Sequence, residues 1–120
     1  MPARRPDPFI DHLLELLGPL AARIGPITAR RMFGGHALYY DGLVFALVLG
    51  GRCYLKVDDQ TRGGFEAEGG EPFRYSRNGR EISMQHYLSV PPACLESAEA
   101  MTAWARLSVE STLRLANQAG

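Results

Sequence analysis

Three dipeptides, Asp41-Gly42, Gly50-Gly51 and Asn78-Gly79, stand between short apolar runs and constrain this chain more than any other feature. Both central residues of a type I′ turn need positive φ, which Gly, Asn and Asp tolerate and most residues resist. Each pair therefore joins two strands as a tight antiparallel hairpin. Together they predict a meander from Ile27 to Val57 and a third hairpin beyond it, about six short strands in all. Ahead of the first turn stands Arg30-Arg31-Met32-Phe33-Gly34-Gly35-His36, which sets two arginines and a Met-Phe anchor beside a Gly-Gly pivot. Gly34-Gly35 lacks the strand-GxGxxG-helix setting of a nucleotide loop, so it reads as a pivot into the hairpin.

Helical signals flank the strands. Asp7 is placed to cap a helix with Pro8 in its first turn, and Ile10, Leu13, Leu14, Leu17, Leu20, Ala21 and Ile24 form its apolar stripe. Pro19 cannot donate to the carbonyl of Glu15, so a break is expected at Gly18-Pro19, and Gly25-Pro26 ends the segment. A short helical insertion is expected between Gln60 and Glu68. Ser97 is placed to cap a last helix running through Met101, Trp104 and Leu107 to Leu115. Helix, six strands with an insertion, then helix is an α+β order. It predicts one domain over residues 8–120 behind a flexible arm over residues 1–7, and 120 residues suffice for a core without disulfide or metal.

The turns also predict side-chain registers. With Asn78-Gly79 central, Arg77 faces Arg80, Tyr75 faces Ile82 and Phe73 faces Met84, leaving Arg74, Ser76, Glu81, Ser83 and Gln85 on a wet side. In the meander, strict alternation puts Tyr39, Val44, Ala46, Val48, Cys53, Leu55 and Val57 on one face, which is assigned to the core. The other face then holds His36, Leu38, Tyr40, Leu43, Phe45, Leu47, Tyr54 and Lys56. That set is too apolar for open water, so it is covered by a helix, buried in a homodimer, or open as a binding surface. A slip of one residue would exchange the two faces.

Lys+Arg and Asp+Glu balance at 13 each, so no global basic field draws the chain onto nucleic acid, and autonomous DNA binding is not expected. No apolar run approaches the roughly 20 residues of a membrane helix. Cys53 and Cys94 form neither a CxxC pair nor a zinc spacing; without a secretory leader they favour a reducing cytoplasm. Cys53 is expected to be buried and inert, and Cys94 to be more exposed. His12, His36 and His86 have no paired-ligand spacing; His36 and His86 fall on apolar faces, where a hydrogen-bonded core histidine is the commoner case. No metal, cofactor or catalytic set is expected. Arg30 and Arg31 diverge to opposite faces, where one of them could hold a phosphate or a partner's carboxylate. The plainer reading is an internal ion pair with Asp58 or Glu15. Arg74, Arg77 and Arg80 form the densest basic cluster, and two arginines across a hairpin tip make a candidate phosphate fork or a solvated tip.

Four runs carry a family resemblance: Arg31-Met32-Phe33-Gly34-Gly35, Tyr54-Leu55-Lys56-Val57-Asp58, Pro72-Phe73-Arg74-Tyr75 and Met101-Thr102-Ala103-Trp104-Ala105. In this order they resemble the TfoX N-terminal domain family, also called Sxy-like, from about Leu13 to Leu115. The resemblance implies an α+β domain with an antiparallel sheet, similar in outline to secretion chaperones. It also implies a bacterial regulator of natural-competence genes, a transcription coactivator working with the cyclic-AMP receptor protein. Ala37 and His86 stand where the family pattern has Gly and an aromatic residue, and Met84 to Pro91 is one residue longer. Competence regulators of this family carry a second, C-terminal helical domain, whereas this chain corresponds to the N-terminal domain alone.

The function expected from all this is a non-enzymatic regulatory or adaptor domain with a protein partner of the transcription-factor kind. Its contacts would be Arg30, Arg31, Leu38, Tyr40, Phe45, Tyr54 and Lys56, and homodimerisation is compatible with it. The alternative is a domain for an anionic small molecule, bound near Arg31 and Lys56 on the same face.

Overall fold

The computed structural model describes residues 7–119. The arm expected over residues 1–7 therefore lies, except for Asp7, outside the described residues. Asp7 is extended, and its carboxylate accepts from the backbone N–H of Phe9 and Ile10 at the start of α1 (Pro8–Leu16). The helix breaks where expected, and α2 (Gly18–Ile24) resumes with Pro19 in its first turn. Ile10, Leu13, Leu16, Leu17 and Leu20 from the two helices are all buried.

Six strands follow: β1 (Ile27–Met32), β2 (Gly35–Tyr40), β3 (Leu43–Leu49), β4 (Arg52–Lys56), β5 (Pro72–Arg77) and β6 (Arg80–Ser89). A short helix, α3 (Arg62–Ala67), separates β4 from β5, and α4 (Ala98–Ala119) ends the chain behind a 3₁₀ turn at Pro92–Leu95. The sheet is antiparallel in the order β1-β2-β3-β4-β6-β5. The fold is thus the α+β architecture that the turn dipeptides predict. Asp41-Gly42, Gly50-Gly51 and Asn78-Gly79 all have positive φ at both positions. A fourth such turn uses Phe33 (φ 46) and Gly34 (φ 80), which makes Gly35 the first residue of β2 rather than part of a pivot. Gly35 is required there for another reason: a Cβ would run into the carbonyl of Val48.

Helices α1, α2 and α4 cover one face of the sheet. Their core takes in Leu38, Phe45, Ala46, Val48, Cys53, Leu55, Val57 and Leu88. The opposite face has its own apolar cluster of Ala37, Leu47, Tyr54, Phe73 and Tyr87, with Tyr39, Val44, Leu49 and Tyr75 against it.

This division corrects the alternation predicted for the meander, and the cause is a β-bulge. Leu38 pairs with Ala46 but Tyr39 pairs with Val44, which leaves Phe45 as an extra residue in β3. An unpaired residue breaks the two-residue period, so the apolar sets on its two sides change faces. Phe45 and Ala46 both enter the helix-side core, while Val44 and Tyr39 move to the other face. The bulge frees the carbonyl of Phe45 from its ladder, and the buried Ser108 hydroxyl of α4 donates to it at 2.9 Å. A Ser108→Ala chain leaves that carbonyl dry and unpaired. It should lose about 1–3 kcal/mol of stability in urea unfolding, and a cost near zero would show that the bulge needs no such support.

A second irregularity shapes the sheet edge. Pro72 pairs with Leu88, but the next residue, Phe73, pairs with Met84, leaving Gln85, His86 and Tyr87 of β6 without β5 partners. Only Tyr54–Lys56 of β4 pair with β6. The distal part of the β5–β6 hairpin is therefore an arm that bends out of the sheet. It bends over the face that the helices leave open, so that Phe73 meets Tyr54 edge-on at 5.2 Å and Phe33 at 5.3 Å between ring centroids.

Opposite the arm, the helical layer is tied to the strands by Asp58. Its carboxylate accepts from Arg114 Nε at 2.6 Å and from the second guanidinium arm at 3.1 Å. It also accepts from the Thr61 and Ser111 hydroxyls and the N–H groups of Gln60 and Thr61. Asp58 therefore belongs to Arg114, not to Arg30 or Arg31. Trp104 packs edge-on against Phe65 of α3 at 4.9 Å, closing α3 onto α4. Both are internal contacts.

Candidate functional site

The bend of the β5–β6 arm converts the open face into a groove of about 680 Å³. Val44, Leu47 and Leu49 of β3 form its floor, Met32 and Phe33 one wall, and Phe73, Tyr75, Met84 and Tyr87 the other, with Ser76 and Arg77 at the arm's end. The volume falls in the range of ligand sites, and the lining is apolar with few polar groups. Three lining residues remain well exposed for their type: Met32 at 38%, Phe33 at 39% and Met84 at 36%. Methionine side chains adapt to varied apolar partners. Phe33 also holds a positive φ, which is uncommon for an aromatic residue and costs on the order of 1 kcal/mol. The Phe33 ring sits at the rim, edge-on to Phe73.

Arg77 lines this groove, and further cations stack on tyrosines of the same sheet face. Arg30 stacks over Tyr39 at 5.2 Å, Arg52 over Tyr54 at 5.7 Å and Lys56 over Tyr87 at 5.4 Å. Burial lowers the pKa of Lys56 and, with the nearby Tyr39, pushes that of Tyr87 up to about 12. Arg77 and Arg80 face each other across the tip of the arm. The near-zero net charge conceals a division of charge. The strands carry Arg30, Arg31, Arg52, Lys56, Arg74, Arg77 and Arg80 but a single acidic residue, Glu81.

The structure separates the residues expected to act together. Arg30, Tyr54 and Lys56 do share the open face. Leu38 and Phe45 are fully buried beneath the helices, and the Tyr40 hydroxyl donates to the Ile24 carbonyl at 2.8 Å on that same side. The bulge and the helical cover bury Leu38 and Phe45 and leave Tyr40 half-buried on the helix side. Arg31 pairs in register with His36 on the helix side and is exposed. Arg74 lies on the wet side of the arm, 3.9 Å from Glu81, whereas Arg77 lines the groove.

Met32, Phe33, Leu49, Met84 and Tyr87 were missing from the sequence-based set. One signal pointed to them: the third hairpin has a dry face of Phe73, Tyr75, Ile82 and Met84 at a sheet edge, and such a face must cover something.

Among the described residues no thiol or imidazole lines the groove. Cys53 and Cys94 are both free and buried, which corrects the exposed Cys94 of the sequence reading; its sulfur is enclosed by the 3₁₀ turn and α4. Burial pushes the Cys53 thiol up to about 12, with Cys94 adding to it, and the Cys94 thiol up to about 11. Neither supplies a thiolate at neutral pH. His12 contacts the Leu95 carbonyl at 2.7 Å and His36 lies 3.7 Å from Asp7, while His86 is exposed rather than on an apolar face. Among the described residues no three His, Cys, Asp or Glu side chains gather as a metal site. No helix there is long and apolar enough to cross a membrane.

Comparison with known proteins agrees with this architecture. The TfoX N-terminal domain family matches residues 19–112. The DNA transformation protein TfoX1 of Aliivibrio fischeri is 32% identical over 78 residues, which are 65% of this chain and 37% of that protein. The chain thus spans little more than a third of that relative's length. The match takes in all six strands and most of the last helix, and on that basis the chain belongs to the TfoX N-terminal domain family.

Proposed function

We propose that this domain is a non-enzymatic regulatory adaptor of the natural-competence type, and that it acts by docking a protein partner in the groove under the β5–β6 arm. The observation that carries this reading is the exposure of Met32, Phe33 and Met84 around an apolar floor, on the sheet face that the helices leave open. Apolar rims of this kind mark interaction surfaces. The resemblance to a DNA transformation protein supports the competence role, and a transcription factor fits it as the partner. The buried thiols support a reducing, intracellular setting. A second reading, an anionic small molecule with its charge on Arg77, rests on the groove's volume; because the groove is half open, we place it second.

The test compares DNA-uptake transcripts in the source organism with the chain deleted, restored, or restored as Met32→Glu with Met84→Glu. Both positions are exposed, so the double variant should fold normally. Deletion should lower the transcripts several-fold, wild type should restore them and the double variant should not. Transcripts unchanged by deletion would end the competence reading. Full rescue by the double variant would move the contact surface elsewhere.

A further inference from the structure

Resting on the docking reading, we propose that the groove selects an acidic peptide segment of a partner protein, one that buries two or more large apolar side chains beside Asp or Glu. Three observations lead there. The floor and walls are apolar and well formed, so apolar anchors must supply most of the contact. The cations on this sheet face and at the arm's tip are not neutralised. Arg30, Lys56, Arg77 and Arg80 have no carboxylate within 4.0 Å among the described residues, and the Arg52 pair with Glu71 is solvent-exposed. A partner carrying carboxylates gains favourable approach and orientation from Arg77 and the cations on the same face, while a basic one is repelled.

The third observation distinguishes a peptide from nucleic acid. Bases bind on exposed aromatic faces beside cations. Here Tyr54 and Tyr87 are only 7% and 6% exposed, with Arg52 and Lys56 already over their rings. Those two rings offer no stacking platform, and the exposed apolar groups lining the groove are two flexible methionines, Met32 and Met84, with the single ring of Phe33, a set that suits protein side chains better than a run of stacked bases.

The experiment pans a phage library of random twelve-residue peptides against the folded chain and counter-selects on the Met32→Glu, Met84→Glu variant. The best enriched peptide is then synthesised with a fluorophore and titrated by anisotropy. We expect enriched peptides to hold at least two large apolar residues and an excess of Asp and Glu over Lys and Arg. Arg77→Glu with Arg80→Glu, both at an exposed tip, should weaken the synthetic peptide at least tenfold without changing the melting temperature. Enriched peptides with no acidic excess, insensitive to that charge reversal, would overturn the acidic preference and leave groove docking standing. If no peptide distinguishes wild type from the counter-selection variant, the docking reading falls too. A labelled twenty-base-pair DNA duplex that binds more tightly than the best peptide at physiological salt would overturn the proposal in favour of nucleic acid.

Discussion

A Phe45→Ala chain should unfold with about 3–5 kcal/mol less free energy than wild type, while its mass in solution stays unchanged at every concentration. The ring is fully buried in the helix-side core, and only the β3 bulge directs it there alongside Ala46. Truncation leaves a cavity between the sheet and α4 that the tightly packed Leu38, Leu55 and Met101 cannot collapse to fill. Urea unfolding gives the first quantity and light scattering across a dilution series gives the second. A Phe45→Ala chain of normal stability and altered association would place this side chain at an interface, and the bulge assignment would be wrong.

Asp58→Ala should cost about 3 kcal/mol at neutral pH, somewhat below the full penalty for breaking a buried ion pair, because Arg114 is 31% exposed and can turn to water. The hydrogen bonds from Arg114 hold the Asp58 carboxyl well below the usual carboxylate range, against the opposing effect of burial; the charge of Arg114 and the Thr61 and Ser111 hydroxyls add to the depression. A depressed folded pKa stabilises the native state fully above the unfolded carboxylate value of about 4. The contribution drains away as pH falls from there toward the folded value. The stability gap between wild type and Asp58→Asn should therefore be large at pH 7 and shrink at pH 3. An equal gap at both pH values would mean that the carboxylate charge contributes nothing.

Those two residues also show where reading the chain succeeds and where it stops. Turn chemistry is local, so Asn78-Gly79 was enough to pair Arg77 with Arg80, Tyr75 with Ile82 and Phe73 with Met84, as observed. Capping is local too, and Asp7 and Ser97 cap the helices expected of them. The alternation in the meander is correct on each side of Phe45 and wrong across it, because no residue type announces a bulge whose carbonyl is satisfied from α4, 63 positions away. Leu38 and Phe45 lie buried under the helices, with Tyr40 half-buried beside them, for that one reason. Asp58 and Arg114 are 56 positions apart, and a single sequence offered no means to pair them. The groove exists only because β6 gives Gln85, His86 and Tyr87 no β5 partners, and only a slightly overlong Met84–Pro91 segment hinted at it. Arg30 shares the open face with Tyr54 and Lys56 because the bulge sets Ala37, the partner of Arg30, opposite Leu47.

The burial of both thiols has a consequence for how this protein ages and how its motions can be followed. A reagent or oxidant meets Cys53 only when the centre of the sheet opens, and Cys94 only when the 3₁₀ turn parts from α4. Where reclosing is faster than the chemistry, each sulfur is modified in proportion to how often its own surroundings come apart. The chain thus carries two internal clocks, one set by a central strand of its sheet and one by the joint in front of its last helix.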